Sequence, residues 1–568
     1  SNNTNFIAQS TLPSVNQWTH IAVTRSGSTL RLFYDGVLKN TVSNSHNFQT
    51  ASTGIGQTGV NPGEGIAAKI SNLRFVKGTA VYTSAFTPPT APLTNITNTK
   101  LLCCNGDLTT SSTVTPETIT NNPNGIPNTG GTSPFTSPDA VFGENEDQNV
   151  IKCGTYVGNG SSTAGVEVNL GWEPQFIMLK ESDNAGNNWS MWDPMRGITT
   201  GGADALIEPN SNGEEWGGSN YLTVTPTGFK LESDTNNISG REMIYIAIRR
   251  PDGSCGKLPE LGTDVFNIDL DGTNSGDPSW VSGFPVDMQF IKDRAGTTFT
   301  WFLSTRLTQG KYLSTASSGT QNANSVYSHD YQNGWGNYSS ANGITSWMWK
   351  RHAGFDCIAY KSDGVAGRQL PHSLGRAPEM LWIKDREHTR SWAVYHKGLN
   401  SGTNPEDYWL KLDDVSEAED SNTNIWHSTA PTATHISLGA SHPVNTNLIH
   451  DMICLAFASV DGISKVGNYT TNSTGAVSVT LGFQPRLVII KRADLADTGW
   501  VIFDSARGLN TSGNNPIMQL NANYAQDSSA EQILRTDTGF TVSASVTNAS
   551  LKGTTSYPNG NFIYYAHA

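Results

Sequence analysis

One segment recurs four times in this chain, and the recurrence limits the fold more than any other feature. "PQFIMLK" ends at Lys180, "VDMQFIK" at Lys292, "PEMLWIK" at Lys384 and "PRLVIIK" at Lys491. Eight or nine residues after each lysine stands a tryptophan: Trp189, Trp301, Trp392 and Trp500. Each tryptophan opens a second apolar run, as in "WSMWDPMRG" and "WVIFDSARGLN". The copies close on "MIYIAIRRPDG", "SWMWKRHAGF", "MICLAFASVDG" and "NFIYYAHA". Aligning Ile244, Ser346, Ile453 and Ile563 gives periods of 102, 107 and 110. Solenoid repeats run to about 20–50 residues, so each copy is expected to be a domain that closes its own core. The expected boundaries are 151–253, 254–355, 356–462 and 463–568, with the second copy the most divergent.

Within each copy, short apolar runs alternate with Gly, Asn and Pro turns, the pattern of strands rather than helices. Runs such as 176–179 and 487–490 are apolar on both faces, which suits central, covered strands. Only 15% of the residues are charged and Gly reaches 56, so the expected fold class is all-β, with four tandem β-sandwich repeats. No run of about 18 apolar residues exists to span a membrane as a helix. A net charge of -13 argues against a nucleic-acid partner, whose phosphates need clustered Lys and Arg. The six cysteines, Cys103, Cys104, Cys153, Cys255, Cys357 and Cys454, show no CxxC or metal-type cluster. Four lie singly, about a hundred residues apart, and the adjacent Cys103–Cys104 pair is poorly placed for a bridge. They are read as reduced thiols of a protein assembled in a reducing cytoplasm.

Residues 1–104 have another pattern. "QWTHIAVTRSGSTLRLFYDGVLKNTV" holds two alternating strands, 19–25 and 29–34, joined by "SGS" and followed by the turn "DG" at Asp35–Gly36. Trp18, His20, Ala22, Val23, Arg25, Phe33, Asp35 and Gly36, then Ile70, Ser71, Asn72, Leu73 and Arg74, resemble the laminin-G, or concanavalin-A-like, family. The stretch "VKGTAVYTSAFTPP" is most similar to copies in tailed-phage virion proteins. The resemblance implies a jelly roll whose N-terminal part is missing, so the chain is expected to begin inside that domain. His20 and Asp35 are expected to serve strand packing and a turn. Residues 105–150, rich in Ser, Thr, Pro, Gly and Asn, are expected to be an ordered linker.

The block 151–568 resembles a family of uncharacterised domains repeated in virion proteins of marine tailed phages. The residues that carry this are "ENEDQNVIKCGTYVGNG", the "LG..P…K…W" core and "GISKVGNYTTN". The resemblance implies a virion structural protein on the particle exterior, a tail fibre or similar appendage, contacting other virion proteins and bacterial surface polysaccharide. It brings no catalytic residue, so no enzyme activity and no cofactor are expected. A capsid decoration or head fibre without receptor binding, a glycan-degrading tailspike and a secreted adhesin are the competing readings. A homotrimer is expected, because "SWMWK" at 346–350 carries more aromatic surface than one sandwich readily covers.

Candidate site residues are few. Asp269, Asp271, Asn274 and Asp277 put oxygen ligands at short spacing, which suits Ca²⁺, but the EF-hand pattern fails and a turn is the reading taken. His427, His435, His442 and His450 are spaced 8, 7 and 8 residues apart, which scatters them over strand faces, so no metal is expected there. Glu214 and Glu215 beside Trp216 are adjacent and point to opposite faces, so they cannot flank one glycosidic bond. Trp216, Tyr221, Trp335, Tyr338 and Tyr408 are the candidate sugar-stacking or interface aromatics. The charged stretch "KDREHTR" at 384–390 corresponds to loops that differ freely among the copies, such as "KESDNAGNN" and "KRADLADTG". It is expected to be a solvated hairpin tip.

Overall fold

The computed structural model describes residues 19–46, 70–89, 93–103 and 112–114 of the first 147, together with Ile7, Pro13 and Ile55. It also describes residues 150–568 except 201, 253–258, 273–275, 296–299, 337–342, 415–418, 475 and 531. Apart from 112–114 and 150, the expected linker lies outside the described residues, as do Trp18, Cys104, Cys255, Asn274 and Tyr338. The protein is all-β, with short 3-10 turns as its only helical elements among the described residues. Its contacts divide it into two units, 1–147 and 148–568.

In the first unit, Ile21–Ser26, Thr29–Tyr34 and Val37–Ser43 form an antiparallel meander. Leu73–Val76, Thr99–Cys103 and Ser112–Val114 form a second antiparallel sheet. Gly36 has φ +75, and a Cβ there would meet the Phe86 carbonyl at 1.7 Å, so the "DG" turn admits only glycine at its second place. Asp35 accepts the His20 backbone N–H at 2.8 Å, while the His20 ring lies edge-on to Phe86 at 5.5 Å. Both residues serve the local structure.

In the second unit the same order of four strands recurs in every copy, within a sheet of six strands in the third and five in the fourth. The order is tryptophan strand, lysine strand, closing strand, opening strand, all antiparallel. The first copy uses Ser190–Trp192, Pro174–Glu181, Glu242–Arg249 and Ile151–Val157. The second uses Phe302–Thr305, Met288–Asp293, Ile344–Trp349 and Phe266–Leu270. The third has Ala393–His396, Met380–Asp385, Asp451–Phe457 and Phe355–Lys361. The fourth has Val501–Asp504, Leu487–Arg492, Gly560–His567 and Ser464–Thr471. Lys180, Lys292, Lys384 and Lys491 are the penultimate residues of their strands, facing Ile244, Thr345, Ile453 and Ile563. Thr345 therefore replaces Ser346 in the alignment. The segment Ile344–Trp349 is buried on both faces, so it carries no alternation from which register can be read.

One face of each sheet in the second, third and fourth copies covers a smaller sheet and closes a local core. In the third copy Ile358, Leu381, Ile383 and Cys454 pack with Leu370 and Ile436. In the fourth, Val488, Ile490 and Phe562 pack with Val479 and Phe540. The opposite faces meet one another in a shared core that includes Phe290, Trp347, Trp349, Phe355, Trp382, Phe457, Ile489 and Tyr565. The three copies close on themselves cyclically rather than standing end to end. Gln321 N–H donates to the Arg386 carbonyl at 2.9 Å, Glu419 N–H to the Ala493 carbonyl at 2.7 Å, and Gln526 N–H to the Arg294 carbonyl at 2.8 Å. The tryptophans repeat the cycle: Trp392 Nε1 donates to Ser314 O at 2.9 Å, Trp500 Nε1 to Lys411 O at 3.0 Å and Trp301 Nε1 to Gln519 O at 2.7 Å. The aromatic surplus of "SWMWK", from which a homotrimer was expected, is covered within one chain: Trp347 and Trp349 are fully buried.

The first copy joins this assembly differently. Its strand Leu222–Thr225 packs near Phe355–Lys361, and the face of its sheet carrying Met178, Lys180 and Ile246 stays half-buried. The junction adds ion pairs to this apolar packing. Arg351 makes a bidentate pair with Glu173 at 2.6 Å for both bonds and donates to Asp356 at 2.7 Å, while Arg250 reaches Asp356 at 3.3 Å.

Candidate functional site

The "KDREHTR" stretch is solvated only at its outer end. Lys384, Asp385 and Arg386 are buried and only Glu387–Arg390 are exposed, which corrects the expectation of a wholly solvated tip. The reason is the cyclic seam. Arg386 donates to Gln321 Oε1 of the second copy at 3.0 Å, and to Thr200 of the first copy through its hydroxyl at 3.2 Å and its carbonyl at 2.9 Å. One guanidinium thus ties three copies together, and burial pushes its pKa down.

Asp385 organises the other side of the tip. Its Oδ1 accepts the backbone N–H of Glu387 at 2.9 Å and of His388 at 3.0 Å, and its Oδ2 contacts His450 Nδ1 at 2.7 Å. The His388 ring lies flat on the His450 ring, with centroids 3.8 Å apart and planes at 6°. Asp385, His388 and His450 can each turn one ligand atom into a group within 4.8 Å, and they are the one such group of His, Cys, Asp and Glu among the described residues. Of the four histidines spaced through the third copy, only His450 enters it. Neither the spacing of those histidines nor the local stretch announces the cluster, because His450 comes from the entry of the closing strand, 62 residues after His388.

The recurrent lysine has a structural duty. Lys384 Nζ donates to Asp385 O at 2.6 Å and His388 O at 3.4 Å, and Lys180 Nζ bonds Glu181 O at 2.5 Å. Lys491 Nζ holds the Thr498 carbonyl and hydroxyl at 2.8 Å each. These three lysines bind turn carbonyls, while Lys292 Nζ reaches Asn523 Oδ1 of the fourth copy at 3.3 Å. Penultimate in a covered strand, the side chain reaches the turn oxygens before it reaches water. Burial lowers the Lys384 pKa to about 8 and that of Lys491 to about 7. Between pH 7 and 9 the unfolded chain holds a proton that folded Lys491 has released, so stability should rise with pH in that window. Lys491→Met should flatten the rise by more than about 1 kcal/mol, the scale of one pKa unit. Urea midpoints at pH 7 and pH 9 for both proteins measure this, and equal slopes would refute it.

Several of the remaining described candidates have local structural partners. Asp269 accepts the Val281 N–H at 2.8 Å, and Asp271 takes Arg294 at 2.7 Å and the Gly343 N–H at 2.6 Å. Glu215 pairs with Arg196 at 3.2 Å, and Trp216 beside it is 54% exposed. Trp335 is fully buried, stacked on Trp280 at 6.0 Å and bonded to Ser346 Oγ at 2.9 Å, so it is core and not a sugar platform. Tyr221 and Tyr408 are half-buried against the shared core. Cys357 and Cys454 are buried free thiols.

A cleft that sequence reasoning missed lies between the third and fourth copies, with a volume of about 510 Å³. Ser401 and Glu419 line one side; Thr470, Thr471, Asn472, Asp494 and Asn561 line the other. Its walls come from segments far apart in the chain, which no local motif reveals.

A family model described as a domain of unknown function, DUF7483, matches residues 39–250 and 267–568, most of the chain. The chain belongs to the DUF7483 family. The two matched parts suit a domain that is repeated along the chain, and the second takes in the three copies that form the cyclic seam. No curated protein matches the chain.

Proposed function

We propose that this DUF7483 protein is a structural component of a tailed-phage virion, a tail fibre or similar appendage, whose first unit is a laminin-G-like module and which helps adhesion to bacterial surface polysaccharide. The motif resemblances in both units support the virion reading. The observation that carries the adhesive part is the cleft between the third and fourth copies. Hydroxyls, amides and carboxylates line it, the chemistry that meets a polyhydroxylated ligand. The Asn561 amide at its wall is held in place by donating to Gly398 O at 3.1 Å.

Glu419 and Asp494 both line the cleft, which favours a glycan-cleaving enzyme as the second reading. Burial, with Asp494 adding repulsion, raises the Glu419 pKa. Both carboxylates have structural partners, however: Glu419 takes the Asn400 N–H at 2.5 Å and Asp494 the Arg492 Nε at 2.9 Å. Binding without turnover is therefore the expected result.

Immunogold labelling of purified particles should mark an appendage. Gold on the capsid would favour a decoration protein, and unlabelled particles would reject the virion reading. Host polysaccharide should bind the purified chain without release of reducing ends, and Thr470→Arg should abolish binding with an unchanged melting temperature. Undiminished binding by that variant would remove the cleft from the account, and reducing-end release would establish the enzyme.

A further inference from the structure

We propose that Asp385, His388 and His450 form a binding site for one transition-metal ion of the Zn²⁺ class, a staple at the hairpin tip of the third copy. The donor set of one carboxylate and two imidazoles suits Zn²⁺, Co²⁺ or Ni²⁺ and not Ca²⁺, which takes oxygen ligands. Three protein donors leave a fourth position for water.

Two of the donors are already positioned. Asp385 is fully buried and fixed by two backbone N–H groups, and His450 is 6% exposed. The His450 Nδ1 contact to Asp385 at 2.7 Å marks where the ion competes with a proton. Binding places the nitrogen and the carboxylate oxygen on the metal instead, and the neutral ring then carries its one proton on Nε2.

His388 supplies the third donor and the entry path. Its ring is parallel to that of His450, so the two nitrogen lone pairs do not converge as they stand. His388 is exposed, which leaves its side chain free to swing about its own bonds while its backbone N–H stays on Asp385.

The consequence is mechanical. The ion joins the end of the lysine strand to the entry of the closing strand, beside Arg386 and its bond to Gln321 of the second copy. No substrate or turnover is implied. The proposal stands apart from the adhesive cleft, which lies at the next seam.

Co²⁺ titration of the full chain tests it, because ligated Co²⁺ absorbs in the visible and reports nitrogen ligation directly. One equivalent should bind, Zn²⁺ should displace it, Ca²⁺ should not, and Zn²⁺ should raise the melting temperature by roughly 2–5 °C. His388→Ala, an exposed change, should weaken Co²⁺ binding more than about tenfold. His442→Ala, elsewhere in the third copy, should leave it unchanged. Absence of a visible band, or a band of equal strength in His388→Ala, overturns the proposal.

Discussion

Replacing Arg351 with leucine is expected to destabilise the 148–568 unit by about 3–5 kcal/mol, the cost of breaking a buried ion pair from one side. Glu173 and Asp356 would keep their charges in a site from which water is excluded. In the intact protein burial opposes the Arg351 charge, but Asp356 and Glu173 outweigh it and hold the guanidinium protonated. Burial likewise opposes ionised Asp356, and Arg351 with Arg250 overcomes it, leaving its pKa below the usual carboxylate range. A depressed carboxylate contributes stability that is complete above its unfolded pKa and is lost as pH falls through the folded value. Acid unfolding of Arg351→Leu should therefore begin at a higher pH than that of the parent. Urea unfolding at pH 7 followed by tryptophan fluorescence gives the first number, and an acid titration gives the second. A loss below about 1 kcal/mol would mean that water reaches these carboxylates.

Trp301→Ala should cost about 3–5 kcal/mol, the usual range for deleting a buried tryptophan. Trp189→Ala should cost less than about 1 kcal/mol. The two stand at the same place in their copies, yet Trp301 is fully buried and Trp189 half-buried. Trp301 crosses to the fourth copy, donating to Gln519 O at 2.7 Å and Ala522 O at 3.2 Å; its loss removes both bonds and leaves Gln519 O with only the Ala522 N–H at 3.3 Å. Because the seam is cyclic, the loss should lower a single transition shared by the second, third and fourth copies rather than melt one copy alone. Calorimetry of the two variants decides this. Equal losses at the two positions would show that the seam does not carry the stability ascribed to it.

Some of the architecture was open to reading in the primary structure. The lysine and tryptophan recur because both serve the hairpin: in the first, third and fourth copies the lysine binds turn carbonyls, and in every copy the tryptophan opens the next strand. A further recurrence escaped notice. Asn210, Asp413 and Asn521, each 21 residues after a tryptophan, accept that tryptophan's backbone N–H at 2.9, 2.8 and 3.1 Å. Differing residue types hid it, since Asn and Asp offer the same acceptor oxygen. The strand register of Ile344–Trp349 was hidden because both faces are covered.

Strand content, the all-β class and the four copies followed from local pattern, because alternation, turn residues and repeated segments are properties of neighbouring positions in the chain. The duties of Arg386, Arg351 and His450 did not. Each depends on a partner from another copy or from dozens of residues away, brought close when sheets bury their second faces against one another. The same charged stretch reads as a solvated tip when its copy is considered alone. His450, 65 residues on, covers Asp385, and packing against the neighbouring copies covers Arg386; desolvation is what turns their charges into fixed partnerships.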